Sequence, residues 1–153
     1  MQDHSLSATP ILKNKENMNT KDIGFISEIK IITKLLEQNK VVLRPLDDNQ
    51  RYDLVIHNKE NNTYFRVQCK TGRLEDGSVR FLCHNSYTPY MKQGITKSYI
   101  DQIDYFAVYC RELDECYLIS INEVKNAASF SLRVLPFKSG ERVNVKWAKN
   151  YIL

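Results

Sequence analysis

From Phe25 to Leu36 apolar side chains return every three or four residues, at Phe25, Ile29, Ile32 and Leu36, with Ser27, Lys30 and Lys34 opposite. This is the period of an amphipathic α-helix laid on a core. One residue breaks the pattern. On a wheel of about 100° per residue with Phe25 at zero, Ile32 stands at about −20°, Leu35 at about −80° and Glu28 at about −60°. A carboxylate is thus placed inside the apolar arc, where an unpaired charge is costly. The fold must bring a partner to it, and a cation is the obvious one. Two structural alternatives are that Glu28 reaches solvent from the edge of the stripe or pairs with a lysine of the scaffold.

Downstream of the helix the pattern changes to short apolar runs bounded by turn residues: Val41 to Leu43, Tyr52 to Ile56, Tyr64 to Lys70 and Val79 to Cys83. Each has the length of a strand. Lys59 to Asn62 reads as a tight turn joining the second run to the third. Later strands fit Tyr105 to Cys110, Cys116 to Ile121 and Ser131 to Leu135, with short helices over Thr96 to Gln102, Asn122 to Ala127 and Val143 to Tyr151. A helix followed mainly by strands predicts a mixed sheet with flanking helices, an α/β domain. Residues 1 to 19 show neither period and are expected to form a mobile arm, leaving one domain over residues 20 to 153.

With 153 residues and 42% hydrophobic content, the chain has enough apolar surface for one substantial core. No stretch approaches the roughly 20 apolar residues of a membrane span, and the start lacks the apolar core of a secretory signal; a soluble, intracellular protein of bacterial or organellar type, cytoplasmic by default, is expected. Cys69, Cys83, Cys110 and Cys116 contain no Cys-x-x-Cys pair, which argues against structural zinc. The net charge of +4 is small but segregated. Residues 66 to 97 carry six cations against Glu75 and Asp76, while residues 101 to 126 carry six acids against Arg111 and Lys125.

Asp53 opens the second run, and the third ends Arg66-Val67-Gln68-Cys69-Lys70. On a strand alternate side chains share a face, so Gln68 and Lys70 point one way while Val67 and Cys69 point into the opposite layer. Taken singly these are weak signals, since an Asp at a strand start is usually a turn residue and polar alternation usually marks a solvated face.

Taken together, Glu28 on a helix, Asp53, and Gln68-x-Lys70 on the next strand stand in the order of the PD-(D/E)XK nuclease core, which the chain resembles. It looks most similar to the bacterial intron-encoded homing endonucleases of that superfamily and their relatives. These show Gly-x-x-x-Glu (here Gly24 to Glu28), Tyr-Asp-Leu-Val (Tyr52 to Val55) and Val-Gln-x-Lys-Thr-Gly (Val67 to Gly72), with further likeness from Asp104 to Tyr109 and from Trp147 to Tyr151. Two departures from the superfamily pattern are that Tyr52 replaces the name-giving Pro and Gln68 replaces the second metal-binding acid.

The resemblance implies a restriction-endonuclease-like mixed β-sheet core flanked by helices, and a double-stranded DNA endonuclease dependent on Mg²⁺ or Mn²⁺. Its catalytic set would be Glu28, Asp53, Gln68 and Lys70, with Asp53, Gln68, the Cys69 carbonyl and Glu28 as metal ligands. An amide oxygen remains an acceptable ligand for a hard cation. Glu28 would hold a second metal, a water, or Lys70 itself. The basic interval supplies the DNA contacts expected: Arg73, Arg80, Lys92 and Lys97 for phosphates, and Asn85, Tyr87, Tyr90 and Gln93 for base edges. Cutting two strands with one centre per chain implies a homodimer or homotetramer. A junction resolvase, a restriction or repair nuclease, and a non-catalytic DNA-binding module are the competing expectations.

Overall fold

The computed structural model describes residues 18–84, 98–140 and 143–153. The long helix α1 (Thr20–Glu37) opens on Asn19, whose side chain accepts from the Asp22 N–H at 2.9 Å, the capping that an orphan N–H requires. Asn19 therefore serves the helix rather than the arm assigned to residues 1 to 19; residues 1–17 lie outside the described residues. At the other end Asn39 turns back with φ of 58°, a left-handed position that asparagine tolerates.

Among the described residues seven strands follow: β1 (Val41–Leu43), β2 (Leu54–Asn58), β3 (Thr63–Glu75), β4 (Ser78–Leu82), β5 (Tyr105–Cys110), β6 (Glu115–Ser120) and β7 (Ser129–Arg133). They make one branched sheet whose trunk is β3. The first part of β3 pairs antiparallel with β2, its middle pairs parallel with β5, and its last residues pair antiparallel with β4. The expected mixed α/β architecture is present. The hairpin turn at Lys59 to Asn62 is where the sequence places it, with Asn62 at φ of 54°.

β5 is apolar throughout because both of its faces are covered. Phe106, Val108 and Cys110 enter a core with Val79, Phe81, Tyr99, Ile119 and Leu132. Ala107 and Tyr109 enter a second core under α1, with Ile31, Leu35, Leu54, Ile56 and Val67. Val67 and Cys69 do face this α1 layer, as the strand period requires.

The helix packs on a different stripe from the one its period suggests. Ser27, Ile31 and Leu35 are buried, whereas Phe25, Ile29 and Leu36 are 59%, 41% and 54% exposed. With apolar residues nearly all round, the sequence offers two stripes, and packing selects the one whose Ser27 hydroxyl meets the Thr71 hydroxyl at 2.7 Å. The rotation carries Glu28 further into the buried side. The helix expected over Val143 to Tyr151 is also absent. In its place stand an isolated Arg133↔Trp147 bridge, one 3₁₀ turn at Ala148–Asn150, and a Tyr117↔Ile152 bridge. Two open sheet edges need backbone partners, and this segment provides them. The short helix expected over Asn122 to Ala127 is α2 (Ile121–Val124); of the one expected over Thr96 to Gln102, Thr96 and Lys97 lie outside the described residues, and Tyr99 to Ile103 makes one turn.

Candidate active site

Asp53 stands one residue before β2, and its own N–H donates to the Val67 carbonyl of β3 at 2.9 Å. β2 ends its pairing at Leu54↔Val67, so on that side β3 runs on uncovered from Gln68. The Asp53 carboxylate fills the opening. Its Oδ2 accepts from the Cys69 N–H at 2.7 Å and from Gln68 Nε2 at 2.6 Å. The three residues named from the sequence at this point are thus in direct contact.

Lys70 lies on the Gln68 face, where its Nζ donates to the His84 carbonyl at 3.0 Å and stands 5.3 Å from the Tyr99 ring centroid. Burial drives the Lys70 pKa down; the Asp53 charge opposes this in part. Asp53 itself is raised, first by burial, then by the negative charge of Glu28, against the Cys69 N–H and the charges of Lys70 and Arg44. A half-buried carboxylate whose pKa burial and a neighbouring carboxylate both raise marks a site that a cation would relieve.

Glu28 reaches this cleft from α1 with 17% of its side chain exposed. Its contact is Arg44, not Lys70: Arg44 Nη2 is 2.5 Å from Glu28 Oε1. The contact brings charge but no aligned N–H, so that Oε1 is buried with no hydrogen-bond partner. Sequence inspection missed Arg44, because a lone arginine beyond a three-residue strand carries no motif. Asp47 and Asp48 complete a cleft of about 170 Å³ with Glu28, Arg44 and Asp53.

Among the described residues no three His, Cys, Asp or Glu side chains meet in a metal-binding cluster. The donors present are two carboxylates, an amide and a backbone carbonyl, as follows from Gln68 standing where an acid would make the third. The orphaned Glu28 oxygen and the oxygen-rich donor set fit a hard divalent cation.

A groove of about 550 Å³ continues from Cys69 and Lys70 past Arg73, Arg80 and His84 to Thr20 at the start of α1. Arg73 and Arg80 are direct cross-strand partners. Like charges so placed repel, and an anion lying between them would offset the repulsion. Asn85, Tyr87, Tyr90, Lys92, Gln93 and Lys97 lie outside the described residues.

The sequence model of the PD-(D/E)XK endonuclease family matches residues 18–153 of the chain. Among solved structures, that of a bacterial homing endonuclease superposes with a TM-score of 0.60 at 20% identity, covering 88% of this chain and 86% of the other. At that identity the likeness is one of fold. No curated protein matches the chain significantly.

Proposed function

The chain belongs to the PD-(D/E)XK endonuclease family, and from that premise we propose that it is a Mg²⁺- or Mn²⁺-dependent endonuclease of double-stranded DNA, of the site-specific homing type. The observation that supports this is the contact of Asp53 with Gln68 and the Cys69 N–H where β2 and β3 part, with Glu28 and Lys70 near enough that their charges act on Asp53. Asp53, Glu28, the Cys69 carbonyl and Gln68 would hold the ion. Gln68 would serve after an amide rotation that presents Oε1 in place of Nε2; the rotation gives up its hydrogen bond to Asp53, and the attraction of both oxygens to the ion would offset that loss. When bound, the ion supplies Lewis acidity toward the phosphate oxygens and acidifies a water.

The chain's own groups do the rest. Lys70, half-buried and with its pKa lowered by that burial, would hydrogen-bond the attacking water or a phosphate oxygen and offset charge as it develops there. Arg73 and Arg80 seat phosphates of the strand in the adjoining groove. Gln68 removes one negative charge from the site, which lessens repulsion of the polyanion and weakens metal affinity. With one centre per chain, cutting both strands calls for a homodimer or homotetramer. No helix among the described residues is long and apolar enough to cross a membrane.

The test is single-turnover cleavage of duplex DNA with Mg²⁺. Asp53→Asn and Lys70→Ala are each expected to slow cutting by about 10²-fold or more while leaving metal-free DNA binding intact. Gln68→Glu should tighten metal binding. Lys70→Ala cutting as fast as the wild type would remove the catalytic assignment, and a preference for four-way junctions over long duplexes would replace homing by junction resolution.

A further inference from the structure

A buried carboxylate oxygen that lacks a donor is costly. Among the described residues Glu28 Oε1 is the one buried side-chain oxygen or nitrogen in that condition. The cation beside it, Arg44, neutralises charge without supplying a hydrogen bond. The two partners are also unequally held. Glu28 is 17% exposed and fixed on α1, whereas Arg44 is 55% exposed and reaches in from beyond β1. Of the groups lining the cleft, four are acids, Glu28, Asp47, Asp48 and Asp53, and Arg44 is the one cation. Its charge acts on Asp53 as well as on Glu28.

We propose that Arg44 is the resident counter-cation of the acidic cleft, and that its guanidinium and the divalent ion are alternative occupants. The inference rests on the metal-dependent reading above. A guanidinium spreads one charge over a plane, whereas a divalent ion concentrates two on one centre and takes oxygen ligands directly. Metal loading therefore expels Arg44 toward solvent, and the metal-free affinity of Glu28 and Asp53 for Arg44 is subtracted from the affinity for the ion. An expelled Arg44 beside the cleft is a cation at the mouth of a DNA-cutting site, where a phosphate can accept it. Metal and DNA then bind with positive coupling, each strengthening the other by the same factor. Loaded metal is in this way favoured on DNA and disfavoured off it.

The experiment is calorimetric titration of the full chain with Mn²⁺ in the absence of DNA, at about 0.15 M salt where distant charges are screened. Arg44→Ala and Arg44→Gln should bind Mn²⁺ about tenfold more tightly than the wild type, and Arg44→Lys should stay near it. Thermal melts of the same proteins should show the two neutral variants less stable without metal and gaining more from it. Lys40→Ala, which removes one exposed charge next to β1, should change Mn²⁺ affinity less than about twofold. Equal or weaker Mn²⁺ binding by Arg44→Ala and Arg44→Gln, with Asp53→Asn abolishing it, overturns the role of Arg44 and leaves the metal site standing. No Mn²⁺ binding by the wild type, or binding that survives Asp53→Asn, overturns the metal site and the proposal with it.

Discussion

Gly72 lies two residues beyond Lys70, at the point where β3 leaves β5 and begins to pair with β4. A methyl group placed on its Cα would stand 2.7 Å from Val79 Cγ1 and 2.8 Å from Val108 Cγ1. Carbon atoms in contact prefer about 3.5–4.0 Å, so Gly72→Ala requires about 1 Å of relief on two sides at once. Neither neighbour is free to give it. Both valines are fully buried, both are stiff at χ1, and they stand on different strands, so one shift of β3 cannot clear both. Overpacking of this kind costs about 1–3 kcal/mol, or a fall in urea midpoint of about 1 M for a slope of 1–3 kcal/mol/M. Lys70 moves with the strand, and a displacement of about 1 Å at a reacting group costs about 10²-fold in rate. Urea unfolding and single-turnover cleavage of Gly72→Ala, Val79→Ala and the double variant measure both effects. The double variant should be more stable than the sum of the single changes allows, by about 1 kcal/mol, because Val79→Ala removes one of the two clashes. A Gly72→Ala protein within about 0.5 kcal/mol of the wild type, or additive single effects, would refute the steric argument.

Arg73→Ala and Arg80→Ala should each weaken binding to all duplexes and lower the slope of log affinity against log salt by about 1, as should Lys92→Ala and Lys97→Ala; unchanged slopes in filter binding or anisotropy would take these residues out of the interface. Burial raises the Asp104 pKa, but the Arg66 side chain and N–H that donate to it outweigh this and hold it below the usual value. A depressed acid stabilises the fold above its unfolded pKa of about 3.9 and loses that contribution as pH falls through the folded value. Melting temperature should therefore drop more steeply below about pH 4 in the wild type than in Asp104→Asn, and parallel pH profiles would contradict the pairing. Burial pushes the Cys83, Cys110 and Cys116 thiols up to about 11 and Cys69 well above its ordinary value. All four should resist alkylation at pH 8 in the native chain and react once it is unfolded, as mass spectrometry would show.

What the sequence alone determined are the features set by local periodicity. A period of two puts Gln68 and Lys70 on one face and Val67 and Cys69 on the other, whatever lies around them. A four-residue turn at Lys59 to Asn62 folds β2 back on β3 and so brings Asp53 to Gln68. The existence of α1 and the acid within its apolar arc were equally legible. Tertiary structure decided what depends on partners distant in the chain. Ile23, Ile26, Ile29, Ile31 and Ile32 leave the helix able to pack on either of two stripes, and the Thr71 hydroxyl and the core beneath Ile31 and Leu35 chose one. The segment from Val143 to Tyr151 carries a helical pattern, yet unpaired backbone on β6 and β7 drew it into bridges. β3 runs past Lys70 to Glu75 because a glycine allows it to change neighbours. Arg44 meets Glu28 from 16 positions further along the chain because β1 is laid beside the helix, and no local pattern encodes a charge contact between two elements whose packing is set by the rest of the fold.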